Sequence, residues 1–360
     1  MFASGVADDS FAGCTASSTD SCHDLVMIPQ DALLARYDSL LLDLDGVIYV
    51  GANAVPGAVE TVTTAAAQGI GVGYVTNNAS RTPSDVAEHL AELGVPASAF
   101  QVTTSAQAGA RLLCDQLPAG SRVLAVGGAG VAAALSEVGL EPVDTAAAGA
   151  GREDLAAVMQ GFGKQVEWHD LAQASFAVSQ GIPWVATNVD LTIPVEEGIA
   201  PGNGALVAAV EIATERKPQV AGKPFPTIMR FAAEQVNGTK PLVVGDRIDT
   251  DIQGAVAADL PAAMVLTGVS GALDLWRAEP HQRPDYLMSD LADLFKPTSD
   301  VRCTAEGVQF GEGTVRTKSG YLEVAGNAVD AIWAAAQLIW SSDSEPINAV
   351  EIAARLDPAH

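Results

Sequence analysis

The stretch that decides the fold is Leu41-Leu42-Asp43-Leu44-Asp45-Gly46-Val47-Ile48-Tyr49, an apolar run that ends in two carboxylates and a glycine. Side chains two residues apart in an extended segment point to the same side, so Asp43 and Asp45 converge where the strand ends. Gly46 allows the chain to turn away sharply after them. One carboxylate as nucleophile and metal ligand, with a second as acid and base, suits phosphoryl transfer through an aspartyl-phosphate.

A calcium-binding loop is the competing interpretation of these residues. An EF-hand needs glycine at the sixth loop position and glutamate at the twelfth. Counted from Asp43, glycine is fourth and the twelfth residue is Ala54, so the calcium pattern does not match. On this motif alone, a catalytic strand end and a merely polar one remain alternatives.

Three further stretches complete a pattern along the chain, at residues 70–78, 222–224 and 242–251. The first is an apolar strand that ends in Thr76-Asn77-Asn78, the second places Lys223 before a helical pattern, and the third is an apolar strand followed by acidic residues. Parallel strands of an α/β sheet bring their C-terminal ends to one edge, where ligands bind. The ordered set predicts a site with a nucleophile, a phosphate-binding hydroxyl, a cation and metal-binding carboxylates.

Each member of the set also has a simpler interpretation when it is taken singly. Thr76 could cap a helix, Lys223 could be a solvated surface lysine, and Asp246 and Asp251 could cap the next helix. The order of all four stretches favours the catalytic interpretation over these alternatives.

The four stretches resemble the four motifs of the haloacid dehalogenase superfamily. The matching residues are Asp43-Leu44-Asp45-Gly46-Val47-Ile48-Tyr49, Val75-Thr76-Asn77-Asn78, Gly222-Lys223-Pro224, and Gly245-Asp246 with Thr250-Asp251. The resemblance covers residues 36–297, with further matches at 186–190 and 201–204, and is to the branch of 4-nitrophenylphosphatases and phosphoglycolate phosphatases. In this superfamily a second aspartate in the first motif marks phosphatases and mutases, so Asp45 favours a phosphatase.

The resemblance implies a Mg²⁺-dependent phosphomonoesterase that acts on a small phosphorylated metabolite. The implied catalytic residues are Asp43 as nucleophile, Asp45 as acid and base, Thr76 and Lys223. The implied metal ligands are Asp43, Asp45 through its backbone carbonyl, and Asp246, with Asp249 and Asp251 behind them. The implied substrate-binding residues are Gly46, Thr76, Asn77, Asn78, Asn188, Asp190, Ile193 and Lys223. A binding protein that kept the fold without turnover is the alternative, but no catalytic residue is missing.

The domain organisation follows from the spacing of the motifs. About 140 residues separate Asn78 from Lys223, far more than one crossover connection needs, so an inserted domain is expected. We predict an α/β protein with a Rossmann-like parallel-sheet core at residues 31–82 and 222–298 and an α/β cap at 83–221. Residues 1–30 are expected to form a disordered tail, and residues 299–360 a small α+β extension that resembles part of an acetyltransferase.

A glycine-rich turn in the predicted cap invites a second interpretation. Residues 128–133 fit the relaxed GxGxxA pattern of dinucleotide-binding proteins, directly after a predicted strand. No acidic residue stands at a persuasive position about 20 residues on, as that fold requires. We therefore expect close packing of a helix on a strand here, not a nucleotide site.

Composition limits the partners and the compartment. A net charge of −25 repels nucleic acid and acidic lipid, so neither is expected as a partner. Apolar runs stop short of the about 18 residues of a membrane span, and residues 1–25 lack the features of a signal peptide. The four cysteines form no CxxC pair, which favours reduced thiols and a cytoplasmic enzyme.

The last segment and the cap loop bear on assembly and substrate. Residues 329–340 predict an apolar helix that must pack on the core, on the cap or on a second subunit, so a homodimer is one expectation. Relatives that act on pyridoxal phosphate carry histidine just before the proline of the loop 188–194, where Ile193 stands here. With the extension, which is similar to that of actinobacterial glycerol-phosphate phosphatases, this favours glycerol 3-phosphate. Phosphoglycolate, sugar phosphates and broad specificity remain alternatives.

Overall fold

The computed structural model of the protein describes residues 28–147, 154–195, 197–304, 307–342 and 345–357. The predicted N-terminal tail, residues 1–30, lies outside the described residues except for its last three. Of these, Ile28 packs against the hydrophobic core, and its backbone N–H donates to the Oε1 atom of Gln68 at 3.1 Å. Ile28, the first of the described residues, is therefore held against the core.

Helices and strands alternate through most of the described chain. The strands are β1 (Ser39–Leu42), β2 (Tyr49–Val50), β3 (Asn53–Ala54), β4 (Gly71–Thr76), β5 (Val102–Thr104), β6 (Arg122–Val126), β7 (Glu141–Asp144), β8 (Leu155–Gln160), β9 (Trp184–Ala186), β10 (Thr192–Val195), β11 (Gly198–Pro201), β12 (Gln219–Val220), β13 (Pro241–Gly245), β14 (Ala262–Val265), β15 (Tyr286–Met288), β16 (Arg302–Thr304), β17 (Gly307–Phe310), β18 (Gly313–Lys318) and β19 (Tyr321–Ala325). The α-helices are α1 (Ala58–Ala67), α2 (Pro83–Glu92), α3 (Ser105–Cys114), α4 (Ala129–Glu137), α5 (Trp168–Val178), α6 (Asn203–Thr214), α7 (Pro226–Gln235), α8 (Gln253–Ala257), α9 (Ala272–Trp276), α10 (Ala328–Ser342) and α11 (Ala349–Leu356).

A six-stranded sheet in the order β15-β14-β13-β1-β4-β5 forms the core, and all its paired strands are parallel. All four residues of β1 are buried, as expected for a strand that is covered on both faces. In the register, Leu42 lies opposite both Val244 and Tyr74, so β1, β4 and β13 end close together. This arrangement confirms the predicted α/β class with a parallel core sheet.

A second parallel sheet, in the order β12-β9-β8-β6-β7, forms the cap between β5 and α7. The cap is predicted to begin at residue 83, but in the structure the core continues past this residue. The strand β5 pairs with β4 in the core sheet, and Val86 and Leu90 of α2 are buried in the hydrophobic cluster of the core. Pro83 is the first residue of α2, where Thr82 caps the helix by accepting a hydrogen bond from the Asp85 backbone N–H. The proline thus marks a helix start and not a domain boundary.

The C-terminal extension is a four-stranded antiparallel sheet, β16 to β19, with α10 packed on β17 and β18 and also on α9 of the core. Two tryptophans join the extension to the core: the indole N–H of Trp276 donates to the Ile332 carbonyl at 3.0 Å, and that of Trp340 donates to the Leu275 carbonyl at 3.1 Å. The apolar face of α10 is therefore covered within the same chain. A homodimer and the likeness to part of an acetyltransferase stay predictions.

Removing residues 300–360 should lower the stability of the chain or cause aggregation, because it uncovers the apolar surface on α9 that α10 now buries. Size-exclusion chromatography and thermal unfolding of the truncated and full-length chains would test this. Ile332→Ser, at a buried position of α10, should cause a smaller loss of the same kind, whereas Tyr321→Ser, at a half-exposed position, should not. A monodisperse truncation with an unchanged melting temperature would show that the extension is dispensable.

None of the helices in the described part of the chain combines the length and apolar character that a membrane crossing requires.

Candidate active site

Three carboxylates meet at the C-terminal edge of the core sheet. Side-chain oxygens of Asp43, Asp246 and Asp251 all lie within 4.8 Å of one another. Asp43 follows β1 and Asp246 follows β13, the strand that pairs with it. Asp251 lies in the π-helical turn Ile248–Ile252 that comes next. The parallel pairing of two strands thus brings together residues about 200 positions apart, as the sequence predicts.

Lys223 lies at the centre of this cluster and is only 3% exposed. Its Nζ atom lies 2.5 Å from the Oδ1 atom of Asp43, 2.7 Å from Oδ1 of Asp251 and 3.2 Å from the carbonyl oxygen of Val75. Burial opposes the charged form, but Asp251 and Asp43 outweigh it and raise the pKa of Lys223 above its ordinary value. The lysine therefore stays protonated and donates three hydrogen bonds.

Asp246 has an oxygen that the described residues leave unused. Its Oδ2 atom accepts a hydrogen bond from the Val269 backbone N–H at 2.7 Å, whereas its buried Oδ1 atom has no hydrogen-bond partner among the described residues. Burial and the nearby Asp251 raise the pKa of Asp246 to about 6. Around it, one lysine faces three carboxylates, so negative charge is in excess. A divalent cation that prefers oxygen ligands, such as Mg²⁺, fits this arrangement.

Gly46 lets the loop after β1 approach Asp246 closely. Its φ of +81° is in the left-handed region, and a Cβ atom there would lie 2.4 Å from the Oδ2 atom of Asp246. The Gly46 carbonyl accepts a hydrogen bond from the Thr267 hydroxyl at 2.5 Å. A side chain at residue 46 would therefore be both strained and obstructed.

Asp45 lies on the open side of the cluster, where solvent reaches it. The surrounding atoms desolvate its carboxyl enough to raise its pKa, although Lys223, His89 and Arg81 oppose this. The rings of Tyr49 and His89 pack edge to face nearby, with centroids 5.3 Å apart. A reachable carboxyl with a raised pKa suits a group that gives and takes a proton.

The loop after β4 is built on local hydrogen bonds. The Thr76 hydroxyl accepts from the Asn78 backbone N–H at 3.1 Å. The side-chain oxygen of Asn78 accepts from the backbone N–H of Ser80 at 2.9 Å and from its hydroxyl at 2.7 Å. Thr76 is buried and Asn78 is exposed, so the loop reaches from the cluster to the surface.

Asn77 connects this loop to Lys223 and to the cap. Its Oδ1 atom accepts from the Lys223 backbone N–H at 2.8 Å, and its Nδ2 atom donates to the Lys223 carbonyl at 3.1 Å. The same Nδ2 atom lies 3.2 Å from the Oδ2 atom of Asp190. The Asn77 side chain is thus engaged by protein groups on both sides, and it links the loop to Lys223 and to the cap. The predicted role of Asn77 in substrate binding stays a prediction.

Asn188 and Asp190 come from the cap and hold this loop from the other side. The Nδ2 atom of Asn188 donates to the Asn77 carbonyl at 2.7 Å, and its Oδ1 atom accepts from the Asp190 backbone N–H at 3.2 Å. Asn203, 1% exposed, donates in turn to the Asn188 carbonyl at 2.7 Å. Residues 201–204 match the family pattern, but no sequence signal predicted this supporting role of Asn203.

Two predicted residues lie away from the acidic cluster. Asp249 forms a paired interaction with Arg247 at the surface, with distances of 3.0 Å from Nε to Oδ1 and 2.8 Å from Nη2 to Oδ2. Its carboxylate therefore faces Arg247, and Asp251 alone of the two contacts Lys223. Ile193 lies in the hairpin formed by β10 and β11, opposite Ala200, and its role at the substrate stays a prediction.

Family models and curated proteins agree with this geometry. Residues 40–141 match the model described as haloacid dehalogenase-like hydrolase, and residues 220–294 match one described as HAD-hydrolase-like. The chain is 41% identical over 324 residues to D-glycerol 3-phosphate phosphatase of Mycobacterium tuberculosis, covering 88% of this chain and 90% of that protein. It is 36% identical over 260 residues to acid sugar phosphatase of Staphylococcus aureus, covering 72% and 96%.

Solved structures show the same relationship. A crystal structure of glycerol phosphate phosphatase from Mycobacterium tuberculosis in complex with magnesium matches with a TM-score of 0.79 and 38% identity, covering 91% of this chain and 99% of that one. A mutant thermostable NPPase from Geobacillus stearothermophilus matches with a TM-score of 0.63 and 34% identity, covering 72% and 98%. The resemblance inferred from the four motifs is thereby confirmed. The chain belongs to the haloacid dehalogenase-like hydrolases, in the group of phosphatases that these relatives represent.

Proposed function

We propose that the protein is a Mg²⁺-dependent phosphomonoesterase and that glycerol 3-phosphate is its preferred substrate. The phosphatase activity is proposed on the basis of the acidic cluster. In it Lys223 bridges Asp43 and Asp251, beside the Asp246 Oδ1 atom that has no hydrogen-bond partner among the described residues. An aspartate that is oriented by a lysine and lies beside a metal-binding carboxylate is equipped for attack on phosphorus.

The chain's own residues account for both halves of the reaction. An oxygen of Asp43 attacks phosphorus, and the bond to the leaving alkoxide breaks while Asp45 gives that alkoxide a proton. Asp45 then takes a proton from water, which attacks the aspartyl-phosphate and releases inorganic phosphate with Asp43 restored. Lys223, Thr76 and the amides of the loop after β4 offset charge on the transferred group. Mg²⁺, held by Asp43, Asp246 and the Asp45 carbonyl, supplies further positive charge when bound.

The substrate proposal rests on similarity and on the cap. The relative named D-glycerol 3-phosphate phosphatase aligns with this chain over 90% of its own length. Ile193, in place of histidine, argues against pyridoxal phosphate. The similarity to acid sugar phosphatase keeps a broadly tolerant sugar-phosphate phosphatase as the second candidate, since a pocket with few hydroxyl partners discriminates weakly.

A panel of phosphate esters assayed with Mg²⁺ should place glycerol 3-phosphate among the best few small substrates by kcat/KM. The panel would include phosphoglycolate, sugar phosphates, pyridoxal phosphate and 4-nitrophenyl phosphate. A low rank for glycerol 3-phosphate, with other esters turned over, would refute the substrate and leave the phosphatase. No turnover of any ester with Mg²⁺ would refute both.

Asp45→Asn should slow attack on alkyl esters more than attack on aryl esters. Glycerol is a poor leaving group that needs a proton, whereas 4-nitrophenolate leaves without one. Single-turnover attack should fall by about 10²- to 10³-fold for glycerol 3-phosphate and by less than about tenfold for 4-nitrophenyl phosphate. Equal losses for both esters would count against a proton-transfer role.

A further inference from the structure

The glycine-rich turn between β6 and α4 packs on the chain directly after the loop that follows β4. A Cβ atom on Gly128 would lie 2.7 Å from the Ser80 carbonyl oxygen, and one on Gly130 would lie 2.4 Å from the Arg81 carbonyl oxygen and 2.5 Å from that of Ala79. The Gly130 backbone N–H also donates to the Ser80 carbonyl, at 3.4 Å. The cap and the core therefore meet here backbone to backbone, with no room for a methyl group.

This contact also argues against dinucleotide binding by residues 128–133. In such folds the pyrophosphate lies at the N-terminus of the helix that follows the glycine-rich turn. Here that position, at the start of α4, is occupied by the carbonyls of residues 79–81. The glycines are needed for close packing, as the sequence analysis expected.

The contact is coupled to the site by three hydrogen bonds. Ser80 donates both its backbone N–H and its hydroxyl to the side-chain oxygen of Asn78, and the Asn78 backbone N–H donates to the Thr76 hydroxyl. The obstructing atoms are backbone carbonyls, which cannot rotate away as a flexible side chain would. A displacement of Ser80 must therefore move Asn78 and disturb Thr76.

We propose that Gly128 and Gly130 are positioning residues of the reaction. Because they let the cap pack directly against the backbone at Ser80, they fix the position of this residue. Ser80 in turn holds Asn78 and Thr76 in the arrangement that binds the phosphoryl group. This inference rests on the phosphatase function proposed above. The cap thus acts in phosphate binding as well as in covering the site, through residues that touch no substrate.

The test is Gly130→Ala, compared with wild type and with Gly109→Ala. Gly109 is a buried glycine of α3 whose added Cβ would meet Met159 and Val185 at an ordinary 3.4 Å, so alanine should be tolerated. Binding of inorganic phosphate in the presence of Mg²⁺ would be measured by calorimetry, with kcat and KM for 4-nitrophenyl phosphate. In Gly130→Ala we expect phosphate affinity to fall about tenfold, KM to rise by a similar factor and kcat to change less than about threefold.

Hydrogen exchange of the wild-type chain provides a second measurement that needs no variant. Inorganic phosphate with Mg²⁺ should slow exchange in residues 128–131 together with residues 76–81, and leave the extension strands at 313–325 unchanged. Unchanged exchange at 128–131, or wild-type phosphate affinity in a folded Gly130→Ala, overturns the inference and leaves the phosphatase intact. A wild-type chain that neither binds phosphate nor hydrolyses any ester overturns both.

Discussion

Asp43→Asn is expected to lower kcat by about four orders of magnitude or more, because it removes the nucleophile while keeping the shape of the side chain. The amide cannot form the covalent intermediate, and it provides one negative charge fewer for Lys223 and for the metal. Steady-state assays with glycerol 3-phosphate and 4-nitrophenyl phosphate would measure the loss. Mass spectrometry of rapidly quenched enzyme should detect a phosphorylated wild-type chain and none in the variant.

A matched control separates this chemistry from a general loss of acidic charge. Asp259→Asn changes the same side chain at an exposed position with a φ of +60°, a conformation that asparagine also tolerates. Its activity should stay close to that of wild type. Turnover by Asp43→Asn within tenfold of wild type would refute the assignment of the nucleophile.

Lys223→Met should be the single change most damaging to stability, and it should also lower activity. It leaves the partly buried Asp43 and the fully buried Asp251 without the cation that both contact. Breaking a buried pair in this way costs about 3–5 kcal/mol of unfolding free energy. Loss of a positive charge that would stabilise the transition state should also lower kcat by about two to three orders of magnitude. Chemical denaturation and steady-state kinetics would measure the two effects.

A double variant tells these effects apart. Adding Asp251→Asn to Lys223→Met removes one of the stranded charges, so part of the lost stability should return while activity does not. A full cycle of wild type, the two single variants and the double variant gives the coupling free energy. Strictly additive changes in unfolding free energy would contradict the direct contact between Lys223 and Asp251.

The composition of the site could be predicted because it depends on strand ends. Asp43, Thr76 and Asp246 each follow an apolar run, and parallel strands must bring their ends to one edge. The hydrogen bonds between Asn77 and Lys223, and between Asn188 and Asn203, could not be predicted in the same way. They join loops and elements that are separated in sequence and meet only through tertiary packing, so no local sequence pattern predicts them.

Local structure accounts for the different contacts of Asp249 and Asp251. Both lie in the π-helical turn Ile248–Ile252, in which Asp249 contacts Arg247 at the surface and Asp251 contacts Lys223. The predicted role of Asp249 behind the metal ligands stays a prediction. The strand β18 gives little sequence signal, because its exposed positions carry Thr314, Arg316 and Lys318 and only its other face is buried.

The two tryptophans that join the extension to the core also determine what intrinsic fluorescence reports. Trp333 and Trp340 pack edge to face at 5.7 Å, and Trp276 donates to the same helix, so three of the five indoles lie at one junction. Of the other two, Trp168 is exposed and Trp184 is buried in the cap. We therefore expect the intrinsic fluorescence of this chain to respond to displacement of the extension more than to substrate binding at the carboxylates.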